Sequence, residues 1–515
     1  MNLFKRGKER KLKILFVAAE AAPFASVGGL ASVMYSLPKA LTRLGHDARV
    51  FMPRYVFIDD SKNEIKMEKR GIQVPTGSEN SDPKYLICNV KRRDENFKDP
   101  KSPVTTYFLE NQEYFELRTN VYGYNDDTIR WALLSRGVLE FISYWSDWKP
   151  DIIVSSDWQT GLVPNYMKTL YKDDPIISKI VSVFSIHNLF YQAMFDHKFV
   201  SEMDNDDGKS PIPPIVGNGR MIKINPMRRG IMHADAVNTV SPNYAKEILT
   251  KDYGELLDDL LRERRSVLTG ILNGIDYDVW NPKTDALITA KYDAENPEDR
   301  GENKSALQER FGLTLNNDAF ILAIVSRLTK QKGFDLLPNV MDTLLRELPI
   351  QLIVVGDGES DLMSYFQDLA TKHPGKVGVH LQFDSILPHV VFAGADSILV
   401  PSRFEPCGLT QMEAMRMGSV PIVRKTGGLA DSVEDYNPSA ESGTGFVFEK
   451  FDSMSFLIAV VRAYETFRDK KAWTVMMKNA MEKDFSWDKS AKKYAKFFAE
   501  AIARKTPQHN SGQEK

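Results

Sequence analysis

The stretch "KILFVAAEAAPFASVGGLASV" (residues 13–33) runs from an unbroken apolar segment through Gly28 and Gly29 into a helical pattern. Far downstream, "PIVRKTGGLADSV" (residues 421–433) repeats that order, with Lys425 where the first copy carries Ser26. An apolar run without polar alternation, followed by a tight turn and a helix, is the repeating unit of a parallel sheet covered on both faces. Two copies in matching contexts therefore predict two doubly wound α/β domains. Ligands of such sheets sit beyond the carboxyl ends of the strands, so two facing domains place their site in the cleft between them.

The pattern extends outward from both loops. In the first half, Lys13–Ala19, Asp151–Ser155, Ile180–Ile186 and Asp235–Val240 read as strands, and Leu30, Val33, Leu37, Leu41 and Leu44 recur at helical spacing. In the second half, "FILAIVSR" (320–327), "IQLIVVGDG" (350–358), "GVHLQF" (378–383), "ADSILVPS" (395–402) and "VPIV" (420–423) read as buried strands. Charged and poor in large apolar residues, 291–304 reads as a linker. The expected organisation is a first domain over 1–290, that linker, and a second domain over 305–485. A helix over 486–505 is expected to pack back on the first domain, and 506–515 to form a disordered tail.

Composition excludes several classes. At 515 residues the chain exceeds one ordinary domain, and 43% hydrophobic with 26% charged residues is a globular, soluble balance. A net charge of −2 argues against bulk electrostatic binding to nucleic acid or to an anionic membrane. Cys88 and Cys407 make neither a disulfide framework nor a metal cluster, and they fit a reducing cytoplasm. The basic start "MNLFKRGKERK" precedes too short an apolar run for a signal peptide or a membrane span.

Glycines at a strand-to-helix turn let backbone approach a ligand, and helix-start amides attract anions. Neither G-x-G-x-x-G nor a P-loop occurs, so the nicotinamide and P-loop readings lose support. In "SRLTKQKGFD" (326–335), Arg327 and Lys332 leave a strand end together, a pairing that suits a diphosphate leaving group. In "PSRFEPCGLTQMEAM" (401–415), Glu405 lies beyond a strand where it can grip sugar hydroxyls or steady a cationic transition state, and Arg403 is a further candidate. The backbone around Cys407, Gly408, Leu409 and Thr410 opens a helix that can meet phosphate, with Cys407 itself a packed small residue. His187 and Asn188 in "FSIHNLFYQ", Asp157 in "SSDWQTG" and Asn273 in "ILNGIDYDVWNP" also follow strands. "DNDDG" (204–208) lacks the spacing of a calcium loop and reads as a solvated turn.

Together, "SRLTKQKG", "GADSILVPSRFEPCGLTQ", "KTGGLADSV", "SIHNLFYQ", "TVSPNYAKEI" and "ILNGIDYDVWNP" resemble the bacterial glycogen synthase and starch synthase family from about Lys13 to Lys489. The resemblance implies a GT-B fold and a retaining glucosyltransferase. Its donor would be an NDP-glucose, typically ADP-glucose, and its acceptor the 4-hydroxyl at the non-reducing end of an α-1,4-glucan. It further implies that Arg327 and Lys332 hold the diphosphate, that Glu405 positions the glucose and that Phe383 stacks on the base. Asn273, Thr410, Thr426, Gly427 and Gly428 would complete the donor site. From the first domain, His187 would touch the sugar near its 6-hydroxyl, Asp157 would assist, and Gly28 and Gly29 would approach the phosphates. No metal is implied, and front-side attack assisted by the leaving phosphate is favoured over a covalent intermediate.

The first domain departs from the family pattern. K-x-G-G-L-[AG]-D becomes "SVGGLAS", with Ser26 and Ser32 replacing lysine and aspartate; H-D-W-H becomes "SDWQ" and Y-Q-G becomes "YQA". A serine supplies a neutral hydrogen bond where lysine supplies a charged one, a loss of about 1.4–2 kcal/mol, or roughly ten- to thirty-fold. Two alternatives follow: the same donor with a different acceptor, or a glucan-binding relative without turnover.

Overall fold

The computed structural model describes residues 10–77, 81–96, 104–193 and 205–505. The basic start before residue 10, Asp204 of "DNDDG" and the 506–515 tail lie outside them. The chain divides into two compact units. Unit one comprises Met1–Val240, Ala245–Ile271 and Trp487–Lys515; unit two comprises Ser241–Tyr244 and Leu272–Ser486.

Unit one is built on β1 (Lys13–Val17), β2 (Asp47–Pro53), β3 (Lys66–Pro75), β4 (Tyr85–Arg93), β5 (Thr106–Glu110), β6 (Ile152–Ser156), β7 (Val181–Ile186), β8 (Ala236–Thr239) and β9 (Leu268–Gly270). The sheet order is β3-β4-β5-β2-β1-β6-β7-β8-β9. From β5 to β9 the neighbours are parallel; β3 and β4 add an antiparallel extension at one edge. β1, β6 and β7 are buried over almost their whole length, which is why they read as unbroken apolar runs. Helix Trp487–Lys505 belongs to this unit, where Tyr494 and Phe498 are buried and Lys505 pairs with Asp235 at 3.1 Å.

Unit two carries β10 (Phe320–Val325), β11 (Ile350–Val355), β12 (Val377–His380), β13 (Ser397–Val400), β14 (Val420–Arg424) and β15 (Phe446–Phe448), all parallel, in the order β12-β11-β10-β13-β14-β15. Its core includes Phe320, whose ring meets Phe467 at 4.9 Å and Trp473 at 5.4 Å.

The expected boundary at 290 and the linker 291–304 are corrected. Unit two already begins at Leu272, and Pro297–Arg300 turns directly into helix Gly301–Arg310. Arg300 is buried and donates to the carbonyls of Phe392, Ala393, Ala395 and Gly418 at 2.7–3.1 Å. Several of these are carbonyls at the end of helix Leu387–Gly394, which have no acceptor role left inside that helix. Lys304 pairs with buried Asp396 at 2.8 Å, and the Tyr292 hydroxyl donates to the Met417 carbonyl at 2.6 Å. Two of the charges that made the segment look solvated, Arg300 and Lys304, are the groups that dock it.

Candidate active site

Unit two gathers several of the predicted residues. β10 and β13 are neighbours, so the loops that leave their carboxyl ends emerge side by side. Lys332 from the first loop reaches Glu405 on the second, Nζ to Oε2 at 2.7 Å, and the Ser402 hydroxyl donates to the same oxygen at 2.9 Å. Glu405 is buried and Lys332 is half-buried. Gly333, in the left-handed region at φ 77, turns the chain back immediately after the lysine. Arg327 is exposed beyond β10, and Phe383 stands 81% exposed beyond β12, available for stacking.

The "TGG" turn packs under this pair. Thr426 immediately precedes helix Gly427–Ser432, and the Gly428 amide donates to the Glu405 carbonyl at 3.1 Å. A Cβ on Gly427 would overlap the Glu405 carbonyl, and one on Gly428 would overlap the Cys407 carbonyl. Both glycines are thus demanded by close backbone approach within unit two. Gln411, the second residue of helix Thr410–Arg416, donates to the Gly408 carbonyl at 2.8 Å and to the Ser432 hydroxyl at 2.9 Å, tying Cys407, Gly408 and Leu409 into the same turn. Burial pushes the Cys407 thiol up to about 12, which makes it a packing residue. Asn273 is buried, and its Oδ1 has no hydrogen-bond partner among the described residues.

Two charged candidates are engaged elsewhere. Arg403 pairs with Asp335 at 2.8 Å and lies over the Phe451 ring at 4.1 Å. Lys425, the residue that distinguishes the second glycine loop, pairs with Glu449 at 2.7 Å on the surface. Asp431 of "GGLAD" accepts from the Ser241 hydroxyl at 2.5 Å and the Asn243 amide at 2.9 Å, holding the short Ser241–Tyr244 segment.

Unit one forms a second cluster. Asp157, at φ 55 just after β6, accepts the amides of His187 at 2.7 Å and Asn188 at 3.2 Å through Oδ1, which fixes the turn after β7. Burial raises the Asp157 carboxyl to about 7 despite those two bonds. Burial also drops His187 to about 4, so the imidazole is neutral at ordinary pH; its Nε2 lies 3.2 Å from the Ser185 hydroxyl. Asn188 Oδ1 accepts the Phe190 amide at 3.1 Å. Ser156 Oγ and Gln159 Oε1, two of the departures noted above, are buried without partners among the described residues. "DNDDG" contributes Asp206 to a buried bidentate pair with Arg229, 2.7 Å at each contact.

The loop at Ser26, Gly28 and Gly29 is exposed. A Cβ on Gly28 would meet only Glu20 Oε1, at an ordinary 3.6 Å. Sequence reasoning missed Glu20, which is 3% exposed and accepts the amides of Val27 at 2.5 Å and Gly28 at 3.2 Å. It also missed Ser402, whose spacing of three from Glu405 was the available signal. Among the described residues no group of three potential ligands is arranged for a metal, and no helix is long and apolar enough to cross a membrane.

Comparison with known proteins shows the family to which the chain belongs. The family model for the starch synthase catalytic domain matches residues 13–263, and that for glycosyl transferases group 1 matches 306–473. The glycogen synthase of Thermotoga maritima is 42% identical over 494 residues, covering 96% of this chain and 99% of its own. That of Desulforudis audaxviator is 38% identical, covering 96% and 98%. The catalytic domain of starch synthase IV from Arabidopsis thaliana, solved bound to ADP and acarbose, superposes with a TM-score of 0.82 at 31% identity, covering 96% of this chain and 100% of that one. Sucrose-phosphate synthase from Thermosynechococcus elongatus, at 18% identity and TM-score 0.57, shares the fold. Similarity at this level over the whole length makes the chain a GT-B glycosyltransferase, a member of the glycogen synthase and starch synthase family.

Proposed function

We propose that the chain transfers glucose from ADP-glucose to the non-reducing 4-hydroxyl of an α-1,4-glucan, with retention at the anomeric carbon. The C1–O bond to the β-phosphate breaks and the acceptor oxygen bonds to the same face of C1. The acceptor proton passes to the departing phosphate oxygen. Arg327 and Lys332 meet the charge that develops on the diphosphate, so no metal is needed for that purpose. Glu405 orients Lys332 and grips the glucose; Phe383 stacks on the base; Asn273 offers its unpartnered oxygen to the donor. Neutral His187 and the free oxygen of Asp157 hold sugar hydroxyls.

The observation that carries this reading is the 2.7 Å contact between Lys332 and buried Glu405, backed by Ser402, at the ends of adjacent parallel strands. Radiolabelled ADP-glucose with glycogen primer should give lengthened, amylase-sensitive chains, with UDP-glucose a poorer donor. Label appearing only on a small acceptor, with none on glycogen, would overturn the choice of acceptor. A different acceptor is the second reading, favoured by Ser156 and Gln159, whose unpartnered buried oxygens flank Asp157 in sequence.

A further inference from the structure

Glu405 is held at both its backbone and its side chain. Its carbonyl takes the Gly428 amide at 3.1 Å, and its carboxylate takes Lys332 Nζ at 2.7 Å and the Ser402 hydroxyl at 2.9 Å. Both side-chain donors land on one oxygen, Oε2. The other, Oε1, has no hydrogen-bond partner among the described residues and is not one of the polar atoms sealed from solvent. One oxygen of the carboxylate is spent on the protein and one is left over.

The serine is itself fixed. Ser402 lies two residues past β13 and is fully buried. Arg424, the last residue of neighbouring β14, donates to the carbonyls of Ser402 at 3.4 Å and Arg403 at 2.5 Å, which clamps the turn between β13 and Glu405. A carboxylate with a single donor can swivel about that one bond and turn either oxygen to the lysine. Two donors from different loops, one of them short, buried and clamped, fix its plane. An oxygen that already carries two donors has little capacity left for a third, so a saccharide hydroxyl finds its acceptor at Oε1. Lysine brings three N–H groups, and the Glu405 contact uses one of them, which keeps the others available for anionic oxygens.

We infer that Ser402 is a positioning residue for glucosyl transfer: by joining Lys332 on Oε2, it turns Oε1 of Glu405 outward as the acceptor for a hydroxyl of the donor's glucose. The inference rests on the proposed role of Glu405 in gripping that glucose.

The test is a double-mutant cycle on the full chain: wild type, Ser402→Ala, Glu405→Gln and the double variant. Each is assayed for ADP release from ADP-glucose with glycogen primer, and for ADP affinity by calorimetry. Ser402→Ala should lower kcat about ten-fold and leave ADP affinity within two-fold, because the hydroxyl acts on the sugar and not on the diphosphate. In the Glu405→Gln background the same change should cost less than two-fold, since the charge that draws both donors to one oxygen is gone. Ser402→Thr keeps the hydroxyl and should hold kcat within three-fold of wild type. If Ser402→Ala does not fold, Ser402→Cys, a weak donor of similar size, takes its place with a three- to ten-fold fall in kcat. Equal losses in both backgrounds, a matching loss of ADP affinity, or an unchanged kcat in Ser402→Ala overturns the inference. An unchanged kcat in Glu405→Gln overturns the role of Glu405 and the inference with it. A wild type that releases ADP without lengthening glycogen overturns only the acceptor assignment, and the cycle, read on ADP release, still decides the role of Ser402.

Discussion

The two glycine loops share four consecutive residues, Gly-Gly-Leu-Ala, yet the structure employs them differently. In unit two, Gly427 is held at φ 44 and both glycines press on the 405–407 backbone, so they form a joint between two loops of one domain. In unit one, Gly28 has an extended φ of −145 with room for a side chain, and the loop is tied down by a single buried carboxylate. A short motif reports that backbone must come close to something. It does not report whether that something is ligand or the protein's own chain.

The sharpest break of this comparison is at the charged pair. Lys332→Ala and Glu405→Ala should each lower kcat/KM by about 10²–10³ while leaving the thermal midpoint within a few degrees. A large loss of stability with modest loss of activity would make the pair structural. Next come the glycines. Gly427→Ala or Gly428→Ala should cost about 3 kcal/mol or more in urea unfolding, whereas Gly28→Ala should cost less than about 1 kcal/mol. Equal costs would erase the distinction between the loops.

A third test uses proton linkage in the helix that follows the Glu405 loop. Burial raises Glu413 to about 7, with Trp280 as its hydrogen-bond partner. A carboxyl whose folded value lies above its unfolded one is stabilising when protonated, and that contribution is lost as pH rises from about 4.5 through 7. Glu413→Gln should therefore stabilise the protein at pH 8 by about 1–3 kcal/mol and flatten the fall between pH 5 and 8. Denaturant melts across that range check it. In unit one, Asp157 raised to about 7 should give kcat/KM an acid limb near neutrality that Asp157→Asn removes, while His187 stays neutral throughout. The smallest effect is expected from Ser26→Lys, a gain of at most about ten-fold in donor affinity, read from the ADP-glucose KM.

Much of this was legible because parallel strands buried on both faces must be apolar throughout. β1, β6, β7, β10, β11 and β13 are visible as unbroken runs for that reason. β3, "KMEKRGIQVP", is mostly exposed at the sheet edge and carries no such signature. Lys332 and Glu405 stood out in the sequence as candidates because both follow strands. Glu20 did not, because an acid among alanines looks like any surface charge until its burial is known.

Sequence alone determined the alternation of strand and helix, the two-domain plan, the family and the set of strand-end residues, since these follow from local apolar periodicity and from motifs read along the chain. Tertiary structure decided which charges are spent internally: Arg300 on helix-end carbonyls, Arg403 on Asp335, Asp431 on Ser241, Glu20 on its own loop. A polar side chain's role depends on what burial leaves within hydrogen-bond reach, and the partners of these residues lie from seven to about two hundred positions away.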